Sequence, residues 1–166
     1  MALTRLARSL ALAIVFILAA GASAQIFPAG SGAFSGRGTI KVSRCGKAAG
    51  SGSVTYSLDA AGVFMELGSG YTIVGAAARM GKRSFSISYD ATNTDIINGF
   101  LANGASSACQ DAFTLTASQI TNTLKLNKRA TRAKVTSTAR IEGTTSSGAH
   151  TGTFKAKDNG NWTLAP

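Results

Sequence analysis

Apolar and polar residues alternate along most of this chain. From Phe34 to Ser43, Phe34, Ile40 and Val42 fall on one face, and Ser35, Arg37, Thr39 and Lys41 on the other. A period of two with one wet face marks a half-buried strand. Ser53 to Leu58 repeats the pattern with Val54, Tyr56 and Leu58. Asp59-Ala60-Ala61-Gly62 then supplies a turn, and Val63 to Leu67 returns as the second arm of a hairpin before Gly68-Ser69-Gly70 breaks it. Tyr71 to Met80 is mixed. Its Ala76-Ala77-Ala78 favours helix, whereas Thr72-Ile73-Val74-Gly75 favours strand, and the segment is read as a strand. In Ser84 to Tyr89, Phe85, Ile87 and Tyr89 alternate with serines.

The period changes after Asp90. Ile96, Ile97, Phe100 and Leu101 share one helical face, Thr94 suits an N-cap, and Asn103-Gly104 offers a left-handed stop. One short helix over 94–102 is therefore expected inside an otherwise β chain. Alternation resumes in Ala112 to Ala117, in Ile120 to Leu126 and in Arg132 to Ile141, with Asn127 to Thr131 as a polar connection. Glu142 to Gly148 reads as a polar loop, Thr151 to Lys157 as a strand around Phe154, and Asp158-Asn159-Gly160 as a turn before a last short strand, Trp162 to Leu164.

Eight to ten short strands with frequent turns predict an all-β fold, either a small antiparallel β-barrel or a sandwich, with the one helix added. In strand count and size it resembles the small calycin-type barrels. Gly38-Thr39-Ile40-Lys41-Val42 and Gly152-Thr153-Phe154-Lys155-Ala156 are alike, which would suit first and last strands lying side by side to close a barrel.

The first residues belong to a different pattern. Arg5 and Arg8 precede an unbroken apolar run from Leu10 to Ala20, and Ala22-Ser23-Ala24 follows. A basic region, a short apolar region and a small-residue site make a secretory signal peptide, expected to be cleaved after Ala24. The run is shorter than the roughly 20 residues that span a bilayer. One domain, Gln25 to Pro166, is left, secreted or periplasmic, with fifteen basic and seven acidic residues. That balance predicts attraction to polyanions or anionic lipid surfaces. In an oxidising compartment the only two cysteines, Cys45 and Cys109, are expected to bridge. Such a bridge would constrain the unfolded chain by about 4 kcal/mol.

Two features carry candidate chemistry. Lys125, Arg132, Lys134 and Arg140 share the outward face of one predicted hairpin, with Lys128 and Arg129 at its tip and no acid among them. Six cations so placed can hold phosphates or carboxylates, or can simply keep a β protein dissolved and its edges unpaired. The absence of interleaved aromatics argues against nucleic acid. Secondly, a strand through Ala76 and Ala78 would point tiny side chains inward and leave room for an apolar ligand, with the helix carrying Phe100 as a lid.

Catalysis finds little support. His150, the only imidazole, lies in a Gly/Ser/Thr stretch that reads as exposed, no G-x-S-x-G occurs, and the acids are scattered. One histidine and two cysteines are too few for a closed metal site, and no cofactor is implied. The expectation is a non-enzymatic binding protein for an anionic or amphiphilic envelope component. The alternatives are a structural or interaction protein of the cell surface, and an outer-membrane barrel, whose spans need roughly 9–11 residues each.

Overall fold

The computed structural model describes residues 27–68, 71–90, 109 and 113–166. The segment read as an export signal and the helix read over 94–102, with Phe100, lie outside them.

Among the described residues ten strands form one antiparallel sheet: β1 (Gly30–Val42), β2 (Gly46–Leu58), β3 (Val63–Gly68), β4 (Tyr71–Ala76), β5 (Ala78–Gly81), β6 (Ser84–Asp90), β7 (Thr114–Leu126), β8 (Arg132–Thr145), β9 (Gly148–Asn161) and β10 (Thr163–Leu164). The order across the sheet is β4-β3-β2-β1-β9-β8-β7-β6-β5, and β10 pairs with the start of β1. The two ends of this sheet are consecutive in the chain. β4 pairs with β3, β5 pairs with β6, and only Ala77, whose N–H reaches the Gly62 carbonyl at 2.7 Å, separates them. Gly75 completes the seam, since a side chain there would lie 2.9 Å from Ile87 of β6. The result is a nearly closed antiparallel barrel in which the bent segment 71–81 acts as a single wall strand. Bringing the two ends of the sheet together in this way removes much of the exposed edge that invites aggregation.

The first and last long strands close the other side. In the β1–β9 register Gly38 faces Ala156, Ile40 faces Phe154 and Val42 faces Gly152. The two similar pentapeptides therefore lie directly opposite one another.

Even-numbered residues of β1, β2 and β9 and odd-numbered residues of β8 point inward. At the lower end, where the β2–β3 and β7–β8 turns lie, Phe34, Tyr56, Phe64, Phe85, Leu124 and Val135 pack into the main core, and Phe27 and Trp162 are buried with them. Each such side chain stabilises the fold by about 1.5–3 kcal/mol when fully buried. At the upper end, Ile40, Val42 and Ile141 make a smaller core with the Cys45–Cys109 disulfide, whose Cα atoms are 5.5 Å apart.

Several strands run longer than the pattern predicts. Residues 114–117 and 120–126, read as parts of two separate strands, both belong to β7, and β8 and β9 extend through the expected polar loop to a tight turn at Ser146-Ser147. Asp158-Asn159-Gly160 is not a turn but the interior of β9. Pairing on both sides, with Ala133 of β8 and Phe34 of β1 opposite Gly160, overrides the local turn preference. Glycine is required there, since a Cβ would sit 2.7 Å from the Phe34 ring.

Candidate functional site

The outer wall is the first candidate. Five contiguous strands, β2-β1-β9-β8-β7, carry nine outward cations: Lys47 on β2, Arg37 and Lys41 on β1, Lys155 and Lys157 on β9, Arg132, Lys134 and Arg140 on β8, and Lys125 on β7. Among the described residues Glu142 is the one acid on these outer faces, 3.0 Å from Arg140. The register sets like charges directly opposite three times: Lys41 against Lys47, Arg37 against Lys157, and Lys125 against Lys134.

The hairpin expected from the sequence is part of this wall. Lys125, Arg132, Lys134 and Arg140 are exposed on its outer face, and Lys128 and Arg129 are exposed in the β7–β8 turn. Asn127 shapes that turn: its side-chain oxygen accepts the N–H groups of Thr131 at 2.9 Å and Arg132 at 3.2 Å. The cations of β1, β2 and β9 could be matched to this face only through the strand order, which alternation does not encode. Large exposed apolar side chains occur elsewhere, as with Val63, Leu67, Val74 and Met80 on β3 to β5. The basic wall is the opposite of the apolar band that a lipid-embedded barrel presents. No helix among the described residues is long and apolar enough to cross a membrane.

The second candidate is a cavity of about 520 Å³ inside the upper half of the barrel. β3 pairs only with residues 55–58 of β2, so the upper half of β2 leaves an opening beside it. The space exists because the inward positions there are nearly bare: Gly36 and Gly38 on β1, Ala48, Gly50 and Gly52 on β2, and Ala156 on β9 line it. Ile40, Val54, Ile120 and Phe154 supply apolar wall, and Tyr56, Glu66, Tyr89, Ser137 and Asp158 supply the polar groups. Asp158 accepts the Tyr56 hydroxyl at 2.9 Å. Glu66 accepts Asn122 Nδ2 at 2.6 Å and the Tyr89 hydroxyl at 3.3 Å. Burial pushes the Asp158 carboxyl above its ordinary value of 3.8, and the Tyr56 hydrogen bond opposes this as the smaller effect. Among the described residues, Oδ1 of the fully buried Asn122 has no hydrogen-bond partner.

This is not where the sequence placed a pocket. Ala76 and Ala78 are exposed, and neither lines the cavity. Inward-pointing small residues do leave a cavity, but on β1 and β2. The signal was Gly36-x-Gly38 and Ala48-x-Gly50-x-Gly52, hidden because Gly46 to Gly52 does not read as strand.

His150 also departs from expectation. It is buried, with Nδ1 donating to the Ser43 carbonyl at 2.9 Å and Nε2 2.7 Å from the Thr145 hydroxyl. A carbonyl can only accept, so the proton sits on Nδ1. The ring ties β9 to the β1–β2 turn beside Cys45 and Cys109, their ligand atoms all within 4.8 Å. Joined as a disulfide, the sulfurs offer no thiolate to a metal.

No protein-family model, no curated protein and no solved structure matches this chain.

Proposed function

We propose that this is an exported, non-enzymatic binding protein for an anionic component of the cell envelope, polymeric or amphiphilic, held on the outer wall of β2, β1, β9, β8 and β7. Export rests on Arg5, Arg8, the apolar run and Ala22-Ser23-Ala24. The observation that carries the binding role is the trio of opposed like-charge pairs. Like charges directly across a sheet destabilise it. A wall that served solubility alone would interleave signs, as Arg140 and Glu142 do. A phosphate or carboxylate set between two such cations turns their repulsion into attraction on both sides.

The test is retention on anionic phospholipid vesicles and, separately, on an immobilised polycarboxylate, at low and high salt. Binding should weaken steeply with ionic strength, because exposed charges are screened over about 10 Å at 0.1 M. Replacing Lys128, Arg129, Arg132 and Lys134 with alanine should weaken it at least tenfold, and unchanged retention on both matrices would overturn the reading. The other reading, a surface interaction protein, draws on the exposed Val63, Leu67 and Val74 of β3 and β4. It predicts a protein partner whose capture those four replacements leave intact.

A further inference from the structure

We infer that the cavity in the upper half of the barrel is a second binding site, independent of the basic wall, that takes a small amphiphile with an ammonium head and an apolar tail. The argument starts from sign. In a chain with 17 Lys+Arg and 7 Asp+Glu, the described residues that line the cavity include two carboxylates, Glu66 and Asp158, and no Lys, Arg or His. The protein is basic outside and acidic within. Burying carboxylates costs stability unless hydrogen bonds or an opposite charge compensate. Glu66 receives hydrogen bonds from Asn122 and Tyr89, and Asp158 one from Tyr56, so both are positioned while still lining open space.

Three further features fit a cationic head with a tail. Tyr56, Tyr89 and Phe154 line the same space, and aromatic rings attract cations to their faces. Ile40, Val54 and Ile120 give the tail apolar wall. At about 520 Å³ the space is of the size that small-molecule sites occupy. An anion would meet two carboxylates and is disfavoured.

Among the described residues, the elements packed around Asp158 bring few other titratable groups: Tyr56 from β2, Glu66 from β3 and Tyr89 from β6 line the same space, while β1 places Gly36 and β8 places Val135 opposite it. Burial and a bound ammonium act on Asp158 in opposite directions, since the cation favours the ionised carboxylate, so where the group is partly protonated the entry of the amine should release proton to water.

Octylamine, octanol and octanoate make matched probes, with one tail and head groups that are positive, neutral and negative at pH 7. Calorimetric titration of the full chain should show octylamine binding at least tenfold more tightly than octanoate. Repeated near the Asp158 pKa in two buffers of different ionisation enthalpy, it should show proton release. Gly52→Leu is the blocking variant. Among the described residues nothing lies within 4 Å of the position a Cβ would take at Gly52, so a side chain can start into the cavity from there, and octylamine binding should fall at least tenfold with the melting temperature little changed. Glu66→Gln combined with Asp158→Asn should erase the preference for the amine over octanol. Equal binding of all three probes, no binding of any, or undiminished octylamine binding by Gly52→Leu would overturn the inference. Alanine replacement of Lys128, Arg129, Arg132 and Lys134 should leave octylamine binding intact, so failure here and failure of the outer-wall reading are told apart.

Discussion

At the scale of single residues, Asp158 and Gly36 show how closely the interior is tuned. Asp158 is buried, and its carboxyl is held above the ordinary 3.8 by loss of solvation. The folded state therefore keeps the proton more tightly than the unfolded chain does. The stabilisation from this linkage is fully present below pH 3.8 and is lost as pH rises through the folded-state value. Asp158→Asn cannot titrate. The stability difference between variant and wild type, followed by urea unfolding across pH, should shift in the variant's favour as pH rises above 3.8 and then level off. A flat difference would show that burial does not perturb this group. Gly36 faces Asp158 across the β1–β9 pair, and a Cβ there would run into the Asp158 carboxylate and the Lys157 carbonyl. Gly36→Ala should cost about 1–3 kcal/mol through overpacking. Gly52→Ala, with open space before it, should be neutral or stabilising by up to about 1 kcal/mol, because it restricts the unfolded chain. Urea denaturation of the two variants side by side distinguishes them.

Elements differ in how much of them alternation reveals. β6, the lower half of β2 and most of β8 were legible because large apolar residues alternate there with Ser, Thr and Lys. The upper half of β2, Gly46 to Ser53, was not, because its inward positions are glycine and alanine and so give no contrast with the outward ones. The same bareness makes the cavity, so the site was obscured by the property that creates it. β9 misleads in another way, since its Asp158-Asn159-Gly160 has the composition of a turn while both neighbouring strands hold it extended. The basic hairpin could be read directly, because β7 and β8 are adjacent in sequence and the Asn127 turn fixes their register. The bridge tying Cys109 to the β1–β2 turn spans 64 residues of chain. Replacing Cys45 and Cys109 together with serine should cost about 2–4 kcal/mol in unfolding free energy. His150, which hydrogen-bonds the Ser43 carbonyl beside that turn, should then exchange its ring proton faster by NMR.

On the scale of the whole molecule, charge is sorted by the barrel wall. Alternation sends neighbouring residues of β9 to opposite sides, so Lys157 faces solvent against Arg37 while Asp158 faces the cavity against Tyr56. One sequence step separates the two potentials. The opposed cations outside raise the energy of the free protein, and that cost is a quantity to be measured. Lys157→Glu sets a carboxylate directly across from Arg37 in place of a like charge. The isolated protein should gain about 0.2–1 kcal/mol at low ionic strength, the range of cross-strand charge pairs, and the gain should shrink as salt screens it. Retention on anionic vesicles or polymer should weaken in the same variant. A wall that serves solubility alone predicts the first effect without the second. Thermal unfolding at two salt concentrations, read beside retention of the same preparation, therefore separates a surface built for a polyanion from one that is merely charged: a variant more stable yet weaker in binding shows that the free protein carries this repulsion for the sake of its ligand.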